Sequence, residues 1–114
     1  MTRGIISWLV YMSGTLQPAY QMVYYPFRFA SRESEYASVR ARAAIRLAEI
    51  WRIIDDSLGS GPWVLGGRSS ACDVYLYMLS TWLLEEHTPI STFANVSRCL
   101  ERVAEKPEIA RVFE

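Results

Sequence analysis

The spacing of apolar residues along the chain predicts a series of helices, and no stretch alternates long enough to form a useful strand. Apolar residues recur every three or four positions, which places them on one face of an α-helix. A second helix is predicted from about Glu33 to Leu58, and Gly59-Ser60-Gly61-Pro62 ends it. Its apolar stripe consists of Ala43, Leu47, Ile50, Trp51, Ile54 and Leu58.

The helix that follows Ser70 has the clearest beginning. Ser70 and Asp73 have the spacing of a capping box, in which the Ser hydroxyl and the acid satisfy backbone N–H groups at the helix start. No charged side chain occurs from Val74 to Leu84. A helix that is apolar on all sides needs other helices around it. We therefore expect this to be the central helix of an all-α bundle.

The opening stretch from Gly4 to Phe27 carries no charge and is long enough to span a bilayer. Several polar residues interrupt it, and its apolar residues lie on one helical face, which favours an amphipathic core helix over a membrane span. A secretory signal is a further alternative. Pro18 predicts a kink or break between Gly14 and Pro18. The apolar face consists of Ile5, Trp8, Leu9, Met12 and Leu16.

Two further helices are predicted near the end of the chain, giving about five helices in all. One runs from about Thr92 to Glu105, and a short one spans 107–113 because Pro107 suits a first helical position. Trp63-Val64-Leu65 is apolar within a loop and is expected to fold back onto the core. The residues expected to face inward are Phe93, Val96, Leu100, Val103, Ile109, Val112 and Phe113.

Composition narrows the choice of function. The 114 residues suit a single domain, 1–114, and 12 basic residues balance 12 acidic ones. Nucleic-acid-binding proteins usually carry a basic excess, so we expect no nucleic-acid partner. Cys72 and Cys99 are interpreted as reduced thiols of a cytoplasmic protein, with a reactive thiol at Cys72 as the alternative.

Two polar features of the sequence bear on possible binding sites. An Arg-rich face of the second helix, including Arg42, Arg46 and Arg52, is either solvated or an anion site. Glu49 and Arg52 are spaced to attract each other on that face. His87 is the only histidine and has no neighbouring ligand set, so we expect no metal.

Three segments resemble the C-terminal helical domain of bacterial glutathione S-transferases. Trp63 to Leu79, with Ser70-Ala71-Cys72-Asp73, is similar to that domain's Gly-x-x-x-Ser/Thr-x-Ala-Asp segment. Ile6 to Tyr20 resembles its opening helix, and Asn95 to Phe113 resembles its end. Ser69 departs from the family pattern, because an aromatic residue usually stands there and packs onto the position of Val74. The polar residues that contact glutathione in beta-class members are replaced at Val10, Thr15, Gln17 and Pro18.

The resemblance implies a division of the chemistry. In the family, a thioredoxin-like N-terminal domain binds glutathione and activates its thiol, and the helical domain provides an apolar wall for the electrophile. No such domain is predicted within 1–114. We therefore expect that the chain contains no catalytic residue and is inactive in isolation. Glutathione would be a co-substrate only when the thioredoxin-like domain is supplied. The resemblance places Tyr11, Thr15, Tyr20 and Trp82 at the wall. The alternative is that they are core residues.

Three functions follow as hypotheses. The first is the electrophile-binding half of a glutathione transferase, which takes a hydrophobic small molecule and pairs with a thioredoxin-like domain. It also implies a homodimer through 11–25 and 36–52. The second is a stand-alone protein-interaction module of the same fold. The third is a small membrane-anchored or secreted protein, which rests on the uncharged stretch 4–27.

Overall fold

The computed structural model of the protein describes residues 4–84 and 86–113. Six α-helices account for most of the described chain, and the only pairing of extended backbone in it is an isolated bridge between Trp63 and Gly66. The prediction of an all-α bundle is confirmed. The helices are α1 (Ile5–Tyr11), α2 (Gln17–Tyr24), α3 (Tyr36–Ser57), α4 (Ala71–Ser80), α5 (Ala94–Ala104) and α6 (Pro107–Phe113).

The predicted break in the opening helix takes the form of a π-helical segment. Met12–Leu16 joins α1 to α2, and the Gln17 N–H donates to the Met12 carbonyl five residues back. Pro18 has no N–H for the Gly14 carbonyl and its ring crowds that carbonyl, so a wider turn relieves both problems. The two α-helices and the π segment therefore form one helical unit, which makes five units as predicted.

The predicted apolar stripe of α3 forms one side of the core. All six of its residues are buried, and α2 packs along the same helix. From the opening unit, Trp8, Met12 and Leu16 are buried against it, whereas Ile5 lies partly in solvent. The inward face predicted for α5 is also buried, comprising Phe93, Val96, Leu100 and Val103.

Asp73 joins α4 to the loop before it. One carboxylate oxygen accepts the Ser70 N–H at 2.7 Å, and the other accepts the Val64 N–H at 2.8 Å. The Ser70 hydroxyl accepts the Cys72 N–H at 3.2 Å, so the predicted capping box is present. The bond to Val64 holds the apolar loop on the core, where Val64 is buried as expected. Asp73 is itself fully buried, with its carboxylate oxygens occupied by N–H donors.

Glycine is required at two places in that loop. Gly66 has φ +93°, a conformation that side chains rarely adopt. A Cβ on Gly61 would lie 2.6 Å from the Gly66 carbonyl oxygen, which is closer than two such atoms approach. These two residues let the chain reverse direction tightly enough to bring Val64 to Asp73.

The start of α5 is capped by a residue distant in sequence. Phe93 occupies the N-cap position and offers no side-chain acceptor. Asp55 on α3 supplies one instead, because its Oδ1 accepts the Val96 N–H at 2.9 Å. Asn95 donates to the Asp55 carbonyl at 3.0 Å, and Arg98 donates to the carbonyls of Gly59 and Gly61. These bonds fix α5 against the end of α3.

Some sequence predictions are wrong in detail. Helix α4 ends at Ser80 rather than Leu84, and it is not enclosed on all sides, since Val74 is 40% exposed. The Ser69 hydroxyl accepts a hydrogen bond from the Lys106 ammonium group. Val74 stays partly exposed, as expected when no aromatic residue stands at position 69. Val112 was expected to face inward but is 72% exposed, whereas Ile109 on the same helix is buried as expected. The Phe113 side chain lies outside what the structure describes.

No helix in the described part of the chain is long and apolar enough to cross a membrane. The uncharged opening stretch is divided among α1, the π segment and α2, and it contributes buried residues to the core. The amphipathic interpretation of this stretch therefore agrees with the structure.

Replacing Asp73 with Asn should strongly destabilise the fold. The Asn amide places an NH₂ group against one of the two N–H donors that the carboxylate now accepts, and the charge is lost. Because hydrogen bonds to buried charged groups are stronger than neutral ones, we expect a loss of about 2–4 kcal/mol in the free energy of unfolding. Urea denaturation followed by circular dichroism measures this change.

The matched control for that experiment is Asp56→Asn, because Asp56 is exposed on α3. The control should change the free energy of unfolding by less than about 0.5 kcal/mol, as is usual for surface substitutions. Equal effects of the two substitutions would show that Asp73 does not hold the loop and α4 together.

Candidate functional site

A half-open groove of about 370 Å³ lies between α2 and the C-terminal end of α4. Among the described residues, the side chains that line it are aromatic rings and uncharged polar groups. Grooves of this size and character accommodate small organic ligands. The lining residues are Gln17, Tyr20, Gln21, Tyr24, Tyr25, Thr81 and Trp82.

Tyr20 and Trp82 form the inner wall of the groove. Their rings meet edge to face, with centroids 5.5 Å apart and an interplanar angle of 82°. The Tyr20 hydroxyl donates to the Leu79 carbonyl at 2.7 Å and accepts the Trp51 Nε1–H at 3.2 Å. Burial raises the pKa of Tyr20 well above its usual value. Tyr20 therefore stays protonated and presents an apolar edge to a ligand.

Two more hydroxyls tie the opening unit to α4. The Tyr24 hydroxyl donates to the Trp82 carbonyl, and the Tyr75 hydroxyl donates to Gln17 Oε1. Burial also raises the pKa of Tyr24, whose ring lies 6.3 Å from that of Tyr20. These bonds hold the turn after α4 against α2 and so fix the width of the groove.

The four residues predicted for the electrophile wall do not form one site. Tyr20 and Trp82 line the groove together, whereas Tyr11 lies beside a small depression between α1 and α3. Thr15 is half-buried in the π segment and lines neither. Sequence reasoning missed Gln21, Tyr24, Tyr25 and Thr81. The first two share a helical face with Gln17 and Tyr20 through their spacing, and this was a usable signal.

Both cysteines are free and fully buried. The Cys72 Sγ lies 3.6 Å from the Ile5 carbonyl oxygen. Burial is the largest influence on each thiol, and it raises the pKa of Cys72 and of Cys99. A reactive thiolate needs the opposite shift and access to solvent. The structure therefore favours packed apolar thiols at both positions.

The Arg-rich face of α3 is exposed. Arg46 pairs with Glu49 at 3.5 Å, in place of the Glu49–Arg52 pair that its spacing suggested. Arg52 instead lies over the Phe93 ring, with its Cζ 5.0 Å from the centroid. His87 is exposed, and the described residues contain no group of three or more His, Cys, Asp or Glu side chains that would hold a metal ion.

Two solved structures of known proteins contain the same fold as this chain. A glutathione transferase homologue from Sulfitobacter, solved with bound glutathione, superposes with a TM-score of 0.83 at 20% identity. A glutathione transferase family member from Pseudomonas fluorescens Pf-5, solved with two glutathione molecules bound, superposes with a TM-score of 0.73 at 24% identity. The matches cover 94% and 93% of this chain.

The protein shares the fold of the C-terminal helical domain of glutathione transferases. It spans 51% and 49% of the length of the two solved chains. No protein-family model matches the sequence, and no curated protein matches it either. At these identities the likeness establishes the fold, and the resemblance noted in the sequence is confirmed at that level.

The buried thiols predict that stability falls in alkaline solution. Their pKa values are raised in the folded chain, whereas the unfolded chain ionises near the ordinary value of about 8.5. Above that pH the unfolded chain binds fewer protons than the folded one, so the free energy of unfolding decreases as pH rises. Below it, the contribution of the thiols is fully present.

Urea denaturation at pH 7 and at pH 9.5 measures this effect. The double variant Cys72→Ala, Cys99→Ala should be less stable at pH 7 but should lose less stability between the two pH values. The raised pKa of Tyr20 adds a further loss only above about pH 10, the ordinary value for tyrosine. Equal losses in the two proteins would mean that the thiols are not the cause.

Proposed function

We propose that the protein forms the hydrophobic-electrophile wall of a glutathione transferase-like enzyme. The observation that carries this proposal is the aromatic groove formed by Tyr20, Tyr24 and Trp82 within a glutathione transferase fold. An aromatic electrophile would stack against Tyr24 and meet the edges of Tyr20 and Trp82, as apolar pockets with a few polar groups hold small ligands.

The groove supplies binding rather than activation. Conjugation needs the glutathione thiolate, so an enzyme must stabilise negative charge on sulfur. The hydroxyls of Tyr20 and Tyr24 are already committed to backbone carbonyls, and burial raises the pKa of both. In this proposal a thioredoxin-like domain, in the same protein or in a partner, binds glutathione as co-substrate. The helical part alone is then inactive, and no other cofactor is involved.

A second part of the proposal is a homodimer that buries α2 and α3. Ile45 on α3 is 63% exposed, and Phe27, in the segment that follows α2 and packs against α3, is also in solvent. Exposed apolar side chains on neighbouring segments are typical of an interface. We place the dimer in the cytoplasm, where the two free thiols would stay reduced.

Sedimentation velocity tests the dimer. The protein should sediment as a dimer at micromolar concentration, and Ile45→Glu should shift it to the monomer because a charge would be buried in the interface. Val112→Glu is the matched control, since Val112 is similarly exposed but lies on α6. A monomeric parent protein would remove the dimer from the proposal.

The alternative function is a stand-alone protein-interaction module. Ile6, Val10 and Ile53 favour it, because these apolar side chains are exposed on α1 and α3 away from the groove. A monomer that binds no aromatic ligand would favour this alternative over the electrophile wall.

Calorimetry with a non-reactive aromatic compound, 2,4-dinitrotoluene, tests the groove directly. Trp82→Ala removes one wall and should weaken binding about 5- to 10-fold, the range expected for loss of an aromatic contact of about 1 kcal/mol or slightly more. Trp63→Ala is the control, because Trp63 lies against Lys106 outside the groove. Thermal unfolding of both variants checks that they remain folded.

Unchanged affinity in the Trp82 variant would contradict the proposed electrophile site, as would equal losses in the two variants. Absence of binding in the parent protein would contradict it as well, since Tyr20 and Trp82 are held in place by contacts within this chain.

A further inference from the structure

A positively charged group lies at the rim of the groove. The Arg28 guanidinium carbon is 4.5 Å from the centroid of the Tyr25 ring and 5.9 Å from that of Phe27. Its Nη1 donates to Gln21 Oε1 at 3.1 Å. Tyr25 and Gln21 both line the groove, so Arg28 is held beside it by two of the lining side chains.

The charge of Arg28 is not neutralised within the described chain. The ion pairs found there join Arg46 to Glu49 and Arg102 to Glu105, and Arg28 takes part in neither. A guanidinium has five N–H donors, of which the bond to Gln21 uses one. Because the ring contacts leave the N–H edges in the guanidinium plane, donors remain for an anion. The groove thus combines an aromatic wall with a cation at its rim that no carboxylate of the described residues pairs with.

We propose that the groove selects aromatic compounds that carry a carboxylate, with Arg28 binding the carboxylate and the wall of Tyr20 and Trp82 contacting the ring. Charge complementarity is the basis of the assignment, since guanidinium and carboxylate groups match in geometry as well as in charge. Aromatic carboxylates would then be the substrate class of the proposed electrophile site, and in this respect the inference rests on the proposed function. Ligand binding is tested separately from any reaction.

Contacts within the chain preorganise Arg28 for this role. Stacking on Tyr25 and the bond to Gln21 restrict a side chain that is otherwise flexible, which lowers the entropy lost when a ligand binds. The side chain is exposed, so screening by water limits the gain. We expect selectivity of about 10-fold for the carboxylate over a neutral ligand of the same shape, which corresponds to roughly 1.4 kcal/mol.

Calorimetry with 2-naphthoate and 2-naphthamide tests the inference on the 114-residue protein. These ligands share a ring system and differ in charge. The parent should bind 2-naphthoate about 10-fold more tightly, and Arg28→Gln should remove that preference while changing the affinity for 2-naphthamide less than about 2-fold. Arg32→Gln is the matched control, because Arg32 is an exposed arginine four residues further along the chain and is not among the residues that line the groove.

The results separate this inference from the proposed function. If 2,4-dinitrotoluene binds in a Trp82-dependent manner but the two naphthalene ligands bind equally, only the selectivity for carboxylates is overturned. Equal effects of Arg28→Gln and Arg32→Gln would also overturn it, because the preference for the carboxylate would then come from positive charge in general and not from direct binding by Arg28. Failure of 2-naphthoate to bind at all contradicts it too, whereas weakening by added salt in the parent but not in Arg28→Gln supports it.

Discussion

The buried carboxylate of Asp73 is the constraint on which the rest of the structure depends. It accepts N–H groups from Val64 and Ser70, and so it fixes both the loop that closes over the core and the first turn of α4. The far end of that helix then offers the Leu79 carbonyl to Tyr20, and the turn beyond it offers the Trp82 carbonyl to Tyr24. The position of the groove thus follows from a bond at the other end of α4.

In the proposed function, this arrangement leaves ligand binding to the helical domain and activation of the glutathione thiol to another domain. The polar groups of the inner wall are used to hold α2 against α4, and this leaves rings and a few uncharged groups facing the groove. Such a surface is suited to hold an apolar ligand, and none of the described side chains that line it carries a positive charge that would stabilise a thiolate. The proposed need for a glutathione-binding domain rests on these groove residues, whose hydroxyls are bonded to backbone carbonyls.

The sequence predicted the helices well because burial on one face repeats with the helical period. The stripe of α3 and the capping box at Ser70 and Asp73 are local patterns, and both appear as expected. Contacts between distant segments were not predictable in this way. Asp55 caps α5 from another helix, and periodicity does not show which face of α2 meets the end of α4. For that reason Tyr20 and Trp82 line one groove, whereas Tyr11 and Thr15 lie outside it.

The most direct test of the proposed function is calorimetric titration of the purified protein with glutathione, with a conjugation assay using 1-chloro-2,4-dinitrobenzene on the same sample. We expect no saturable glutathione binding at millimolar concentration and no turnover above the uncatalysed rate. Micromolar binding or clear turnover would contradict it, because these helices would then hold a complete glutathione site.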